Sequence, residues 1–281
     1  MDERGLGKQL QAARQAAGLT QQQLCQRANL SFSTLTKIER GAIKAPSIFT
    51  IQAIAGALGV GLDELVGQLP VRTNRKLHKT KTGAGFIYFD VNGCLVHFFQ
   101  RAFTKLAADT GVRPDVIESA FWHHSEETNR GVMSISDFNV ELAKQLGIDK
   151  VNWQDYYLEA VEPVAEMQEL LKWAAERYKV GLMTNSMPGL VAGMIRGGKL
   201  PNLPYDAIID SSEVAAIKPE LKMYEIAQQK AGVPAAEILL IDDDRANLMG
   251  AERLGWNVLS FDDARTEESV AQAREALEPA T

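Results

Sequence analysis

The chain has 281 residues, 46% of them hydrophobic, with 30 Lys and Arg against 36 Asp and Glu, ten Pro and two Cys. That balance excludes a disordered tail, a fibrous repeat and a disulfide scaffold, and at roughly 100–200 residues per domain it predicts about two domains. Cys25 and Cys94 stand far apart with no CxxC pair, which points away from structural zinc and towards a reduced, cytoplasmic setting. The charged opening MDERGLGKQLQAARQ and the lack of an apolar run of about 18 residues predict a protein that is neither exported nor membrane-spanning.

The net charge of −6 is unevenly spread. Residues 1–82 hold twelve Lys and Arg against five acids, a charge of +7, so the remainder carries −13. A basic module on an acidic body is expected where the module alone meets a polyanion, because Lys and Arg at phosphates release counterions. A small helical domain with a few surplus lysines is the alternative.

Leu6, Leu10, Ala13 and Ala17 keep helical spacing up to Gly18, which can close the helix. Thr20 with Gln23 three residues later is a capping box, predicting a short helix to about Ala28. Ser31 caps a third helix, Phe32–Arg40, stopped by Gly41. Pro46-Ser47 opens a fourth with Ile48, Ile51, Ile54, Ala55 and Leu58 inward, and Leu62–Leu65 reads as a short fifth.

Residues 5–66 resemble the Cro/phage-repressor (XRE) helix-turn-helix family. The marks are Leu19-Thr20-Gln21, Leu24, Ser31, Ile38-Glu39-Arg40-Gly41, Pro46 and Leu58-Gly59-Val60. In that fold the third helix enters the major groove and the second crosses the backbone. The resemblance implies double-stranded DNA as partner, with Ser31, Phe32, Ser33, Thr36 and Lys37 on the groove-facing helix and Thr20, Gln21, Arg40 and Lys44 at phosphates. Phe32 as a core residue and Lys37 as a solvated one is the competing reading. Glu39 reads as a structural partner of a nearby Arg. One such helix covers a half-site, so a homodimer is expected. Residues 69–84 are polar and basic without apolar period, a linker that either brushes phosphates or is simply solvated.

Beyond the linker, short apolar runs at Phe86–Phe89, Val180–Met183, Ala207–Ile209, Ile238–Ile241 and Asn257–Phe261 alternate with helix-sized segments, predicting a parallel sheet covered on both faces. Each run ends in polar residues, and such tips converge on one crevice where oxygen ligands suit Mg²⁺. Residues 98–178 are too long for one crossover helix and read as an inserted helical cap.

Residues 85–262 resemble the haloacid dehalogenase-like hydrolases through four motifs in order. These are Phe89-Asp90-Val91-Asn92-Gly93, Met183-Thr184-Asn185, Lys218-Pro219-Glu220 and Ile241-Asp242-Asp243 followed by Asn247, Gly250 and Ala251. The resemblance implies Asp90 as nucleophile, Thr184 and Lys218 at the phosphoryl oxygens, and Mg²⁺ held by Asp90, Asp242 and the Asn92 carbonyl, with Asp243 in support. Family phosphatases carry Asp two residues after the nucleophile as general acid and base. Asn92 stands there instead, and the loss of such catalysis typically costs about 10²–10⁴ in rate.

Three readings follow: an inactive domain sensing a phosphorylated small molecule, an enzyme for good leaving groups, or a dehalogenase, the last disfavoured by Thr184, Lys218 and Asp242-Asp243. His97, His123 and His124 read as cap surface, and Cys94 as a small filler. The expected architecture is an all-α helix-turn-helix bundle (1–68), a basic linker (69–84) and an α/β Rossmann-like parallel-sheet domain (85–281) with a helical cap over about 98–178. The expected function is a sequence-specific DNA-binding transcriptional regulator whose second domain senses a phosphorylated ligand or mediates dimerisation, with a Mg²⁺-dependent phosphatase carrying a fused DNA-binding module as the alternative.

Overall fold

The computed structural model describes residues 3–43, 46–58, 77–97 and 99–279. Contacts divide the chain into two compact units, Met1–Val71 and Arg72–Thr281. Among the described residues, no helix is long and apolar enough to cross a membrane.

The first unit packs α1 (Glu3–Ala16), α2 (Gln21–Ala28), α3 (Phe32–Glu39) and α4 (Ile48–Leu58). The starts of α2 and α3 are fixed locally. Thr20 and Gln23 complete the capping box of α2, and the Ser31 hydroxyl accepts from the Thr34 N–H to open α3. Asn29 takes the left-handed conformation between them (φ 51°), which lets the chain turn in three residues. Leu10, Leu24, Leu35, Ile38, Ile51 and Ile54 bury themselves at the centre. The expected fifth helix at 62–65 lies outside the described residues, as does Lys44.

The second unit is a five-stranded, wholly parallel sheet in the order β3-β2-β1-β4-β5, with β1 (Phe86–Phe89), β2 (Lys179–Thr184), β3 (Ala207–Asp210), β4 (Ile238–Asp242) and β5 (Asn257–Ser260). The central β1 is buried along its whole length, and its side chains alternate between two cores. Phe86 and Tyr88 pack with Met183, Tyr224, Leu240 and Trp256, while Ile87 and Phe89 face the larger cluster that runs into the cap. This two-faced burial explains why the runs read as continuous apolar segments.

Two boundaries differ from expectation. The cap consists of α5 (Gln100–Thr110), α6 (Pro114–Asn129), α7 (Ile135–Leu146) and α8 (Trp153–Ala160). The next helix, α9 (Ala165–Ala175), lies against β2 and the C-terminal helix α14 (Thr266–Ala276), so it is the sheet's crossover helix and the cap ends well before residue 178. Residues 77–84, expected to be linker, are instead tied to the sheet unit. Thr80 bridges Pro279, the Lys81 N–H donates to the Glu278 carbonyl, and Lys79 pairs with Glu237 at 2.7 Å. Their binding is through backbone bonds and ion pairs, which leave no apolar period to read. Residues 69–76 lie outside the described set.

Candidate functional site

The strand order reverses at β1, and the loops that leave β1, β2 and β4 meet there. Asp90 follows β1, with its N–H still donating to the Ile241 carbonyl at 2.9 Å. The Lys218 ammonium sits between two carboxylates, 2.6 Å from Asp90 Oδ1 and 2.5 Å from Asp242 Oδ2, with all three side chains buried. Asn185 fixes the lysine by clamping its backbone, accepting from the Lys218 N–H at 2.8 Å and donating to its carbonyl at 3.0 Å. Thr184 is fully buried at the end of β2, and its hydroxyl has no hydrogen-bond partner among the described residues.

Asp242, the last residue of β4, and Asp243 after it divide differently from expectation. Both Asp242 oxygens are engaged: Oδ2 by Lys218, and Oδ1 by the Asp244 N–H and the Asn247 amide, each at 2.9 Å. Asp243 faces the crevice instead, and its carboxylate, Asp90 and Cys94 Sγ bring ligand atoms within 4.8 Å of one another. The approach depends on Gly93 (φ +92°), where a Cβ would stand 2.2 Å from Asp243 Oδ2. Burial, with Asp242 and Asp243 adding negative charge, pushes the Asp90 carboxyl up against the opposing pull of Lys218. Burial opposes the charge on Lys218, yet Asp242 and Asp90 raise its pKa. Two carboxylates short of positive charge, with hard oxygen donors, fit a small divalent cation. Burial and the surrounding carboxylates push the Cys94 thiol well up, in keeping with a protonated filler.

Asn92 is held from both sides. Its Oδ1 accepts from the Tyr157 hydroxyl of α8, and its Nδ2 donates to the Asn185 carbonyl at 3.4 Å. Above it lies a cavity of about 340 Å³ between the loops that leave the sheet and the cap, walled by Phe99, Phe121, Trp122, Trp153 and Tyr157 with Met187 and Leu190. Arg130, at the end of α6, forms a two-pronged pair with Glu220 (2.9 and 2.5 Å), two residues beyond Lys218. Tyr157, Trp153 and the Arg130–Glu220 pair were not singled out from sequence, although the density of aromatics over 99–157 was a signal available there. Among the described residues no histidine joins a cluster of potential metal ligands, and His97 and His123 are exposed.

On the helical unit, Phe32 (50% exposed), Ser33 and Lys37 lie outward on α3, and Arg40 is exposed at its end. Thr20 and Ser31 are exposed caps. Two expected DNA contacts are placed otherwise. Thr36 is half-buried, with its hydroxyl shielded from solvent and unpartnered. Gln21 spends its side-chain amide on Glu39 Oε2 at 2.7 Å. Glu39 is the buried partner of Arg14, at 2.7 and 3.1 Å, so Gln21 braces an ion pair before it can reach a phosphate.

A family model described as haloacid dehalogenase-like hydrolase matches residues 86–255, more than half of the chain. The chain belongs to that family. A helix-turn-helix model matches residues 10–65. The immunity repressor protein of Bacillus phage phi105 is 44% identical over 63 residues, 22% of this chain and 43% of the repressor. The (S)-2-haloacid dehalogenase 4A of Burkholderia cepacia is 24% identical over 139 residues, 50% of this chain and 58% of the dehalogenase. The chain thus spans about half the length of these curated relatives.

Among solved structures, a family enzyme from Bacteroides thetaiotaomicron in complex with magnesium and inorganic phosphate aligns at TM-score 0.51 and 17% identity, over 63% of this chain and 94% of that one. L-2-haloacid dehalogenase from Xanthobacter autotrophicus, with chloropropionic acid covalently bound, aligns at 0.52 and 19%, over 70% and 85%. At these identities the likeness is one of fold. The chain joins a helix-turn-helix module of the repressor kind to a module of hydrolase fold.

Proposed function

We propose that the protein is a sequence-specific regulator that binds double-stranded DNA as a two-fold dimer and whose hydrolase-fold domain holds a phosphorylated small molecule with Mg²⁺, turning it over negligibly. The observation that carries this reading is Asn92. It stands where family phosphatases move a proton, its amide is fixed by Tyr157 and Asn185, and the phosphate-binding groups around it are intact.

The Asp90 and Asp243 carboxylates and the Asn92 carbonyl would hold the metal, which would supply positive charge for the phosphate oxygens. Lys218 neutralises Asp90, and the unpartnered Thr184 hydroxyl is free to bond a phosphoryl oxygen. On α3, Phe32, Ser33 and Lys37 meet base edges, with Arg40 at phosphates.

The retained Asp90–Lys218 pair favours a second reading, slow hydrolysis of esters with good leaving groups. Asp90 Oδ would attack phosphorus, the P–O bond to the leaving group would break with its electron pair, and water would protonate the departing oxygen. A second water would then open the aspartyl-phosphate, returning the carboxylate and releasing inorganic phosphate. Dehalogenation is not favoured, because Thr184, Lys218 and the Asp242-Asp243 pair keep the residues of a phosphate and metal site.

The test is phosphate release from alkyl phosphates with Mg²⁺ by the parent chain, Asp90→Asn and Asn92→Asp, together with selection of a DNA site by the full chain. We expect a parent rate near background, a gain of about 10²–10⁴ in Asn92→Asp and recovery of a defined operator. Rapid parent turnover abolished by Asp90→Asn would replace the regulator with the enzyme.

A further inference from the structure

We propose that the cavity is built for the phosphate monoester of a flat, uncharged aromatic group. This rests on the crevice being a phosphate site, and it names what the rest of the ligand must be.

Charge sets the first limit. Lys218 is the only cation among the described residues that line the cavity, and both of its neighbours Asp90 and Asp242 already claim it. Asp243 and Asp244 also face this space. One phosphoryl group can be met by Lys218, a divalent ion and Thr184, whereas a second phosphate or a carboxylate would meet acids without a partner. Unpaired charge in such a setting is strongly disfavoured.

Polarity sets the second. The roof is five aromatic rings, with Phe99 at 5.4 Å from Phe121, 6.0 Å from Trp153 and 5.2 Å from Tyr157 (centroid distances). A polyhydroxylated sugar would turn its hydroxyls onto these rings and lose their bonds to water, about 1–3 kcal/mol each. A flat ring system gains stacking there, and the wall is already locked by its own edge-to-face contacts, so little order is lost on binding.

About 340 Å³ sits at the small end of ligand sites and suits a phosphoryl group with one or two rings.

Isothermal titration of the full chain with Mg²⁺ tests this, using inorganic phosphate, glycerol phosphate and 1-naphthyl phosphate. We expect 1-naphthyl phosphate to bind at least about tenfold more tightly than glycerol phosphate. Trp122→Ala, on the half-exposed rim, should lower the ratio of naphthyl to inorganic-phosphate affinity severalfold. Binding of inorganic phosphate with equal affinities for the naphthyl and glycerol esters would overturn the ligand class alone. No binding of any of the three would instead remove the phosphate site on which it rests.

Discussion

Replacing Glu39 by alanine would leave the Arg14 guanidinium buried with one remaining partner, the Leu19 carbonyl at 2.8 Å. It would also orphan the Gln21 amide. In the parent, Arg14 and Glu39 are each 8% exposed and joined by two charge-assisted bonds. Breaking a buried pair by removing one partner costs about 3–5 kcal/mol, because the remaining charge is uncompensated. A core of about 65 residues supplies a similar total, roughly 3–5 kcal/mol. The helix-turn-helix unit of Glu39→Ala should therefore be largely unfolded at 25 °C, with DNA binding lost and the sheet unit's melting unchanged. Circular dichroism melts of the full chain, read beside fluorescence anisotropy on the selected operator, measure both. The double variant Arg14→Met, Glu39→Leu should regain helix content, since apolar pairs of similar volume are tolerated where ion pairs were buried. If Glu39→Ala lowered the first transition by less than about 5 °C, near 1 kcal/mol for a domain of this size, the pair would be solvent-screened and the reasoning refuted.

Arg130→Ala removes the two-pronged link from the cap to the segment carrying Lys218, a partly exposed pair worth about 1 kcal/mol. Phosphate affinity measured by calorimetry should fall about fivefold, and an unchanged affinity would mean that cap closure is held elsewhere. Asp210, the cap residue of the short helix Ser211–Val214, is pushed up to about 6 by burial. Its folded state therefore favours the proton, a contribution present in full below about 3.8 and lost as pH rises through 6. Asp210→Asn should then stabilise the sheet unit at pH 7.5 by up to about 3 kcal/mol, seen as a higher melting temperature, and the gain should vanish near pH 4; a gain independent of pH would contradict it.

What the sequence made legible was chemistry confined to short windows. Asp90 and Asp242 could be placed at strand tips because their apolar runs end in acids, and Lys218 came with them only through its motif; the structure sets the lysine 2.6 and 2.5 Å from the two carboxylates. The capping box at Thr20 and Gln23 is equally local. What stayed hidden depends on residues far apart in the chain. Tyr157 reaches Asn92 across 65 positions, and Gln21 reaches Glu39 across 18. Asp242 and Asp243 are neighbours with the same side chain, and only the direction of the turn after β4 decides that one meets Lys218 while the other meets the crevice. Helix α9 reads like the cap helices before it, since its inward residues Met167, Leu170, Leu171 and Ala174 carry the same period whichever layer they cover.

Holding a ligand and cleaving it draw on different groups, and the Asn92 exchange separates them. On the proposed reading, Lys218, Thr184 and a bound cation would act on the phosphate in its ground state and be untouched by the exchange, whereas a missing proton transfer would be felt only in the transition state. Typical family-independent turnover of about 10 s⁻¹ reduced by 10²–10⁴ becomes roughly 10⁻¹ to 10⁻³ s⁻¹. A ligand of micromolar affinity with an ordinary association rate of about 10⁶ M⁻¹s⁻¹ leaves in about a second. It would then dissociate intact many times for each cleavage, and occupancy would follow its concentration. Such a site reports a metabolite where an efficient enzyme would consume it. Any effect on DNA still requires that the ligand bind the DNA-competent and incompetent states unequally, so operator DNA must shift phosphate affinity by the same factor that phosphate shifts operator affinity.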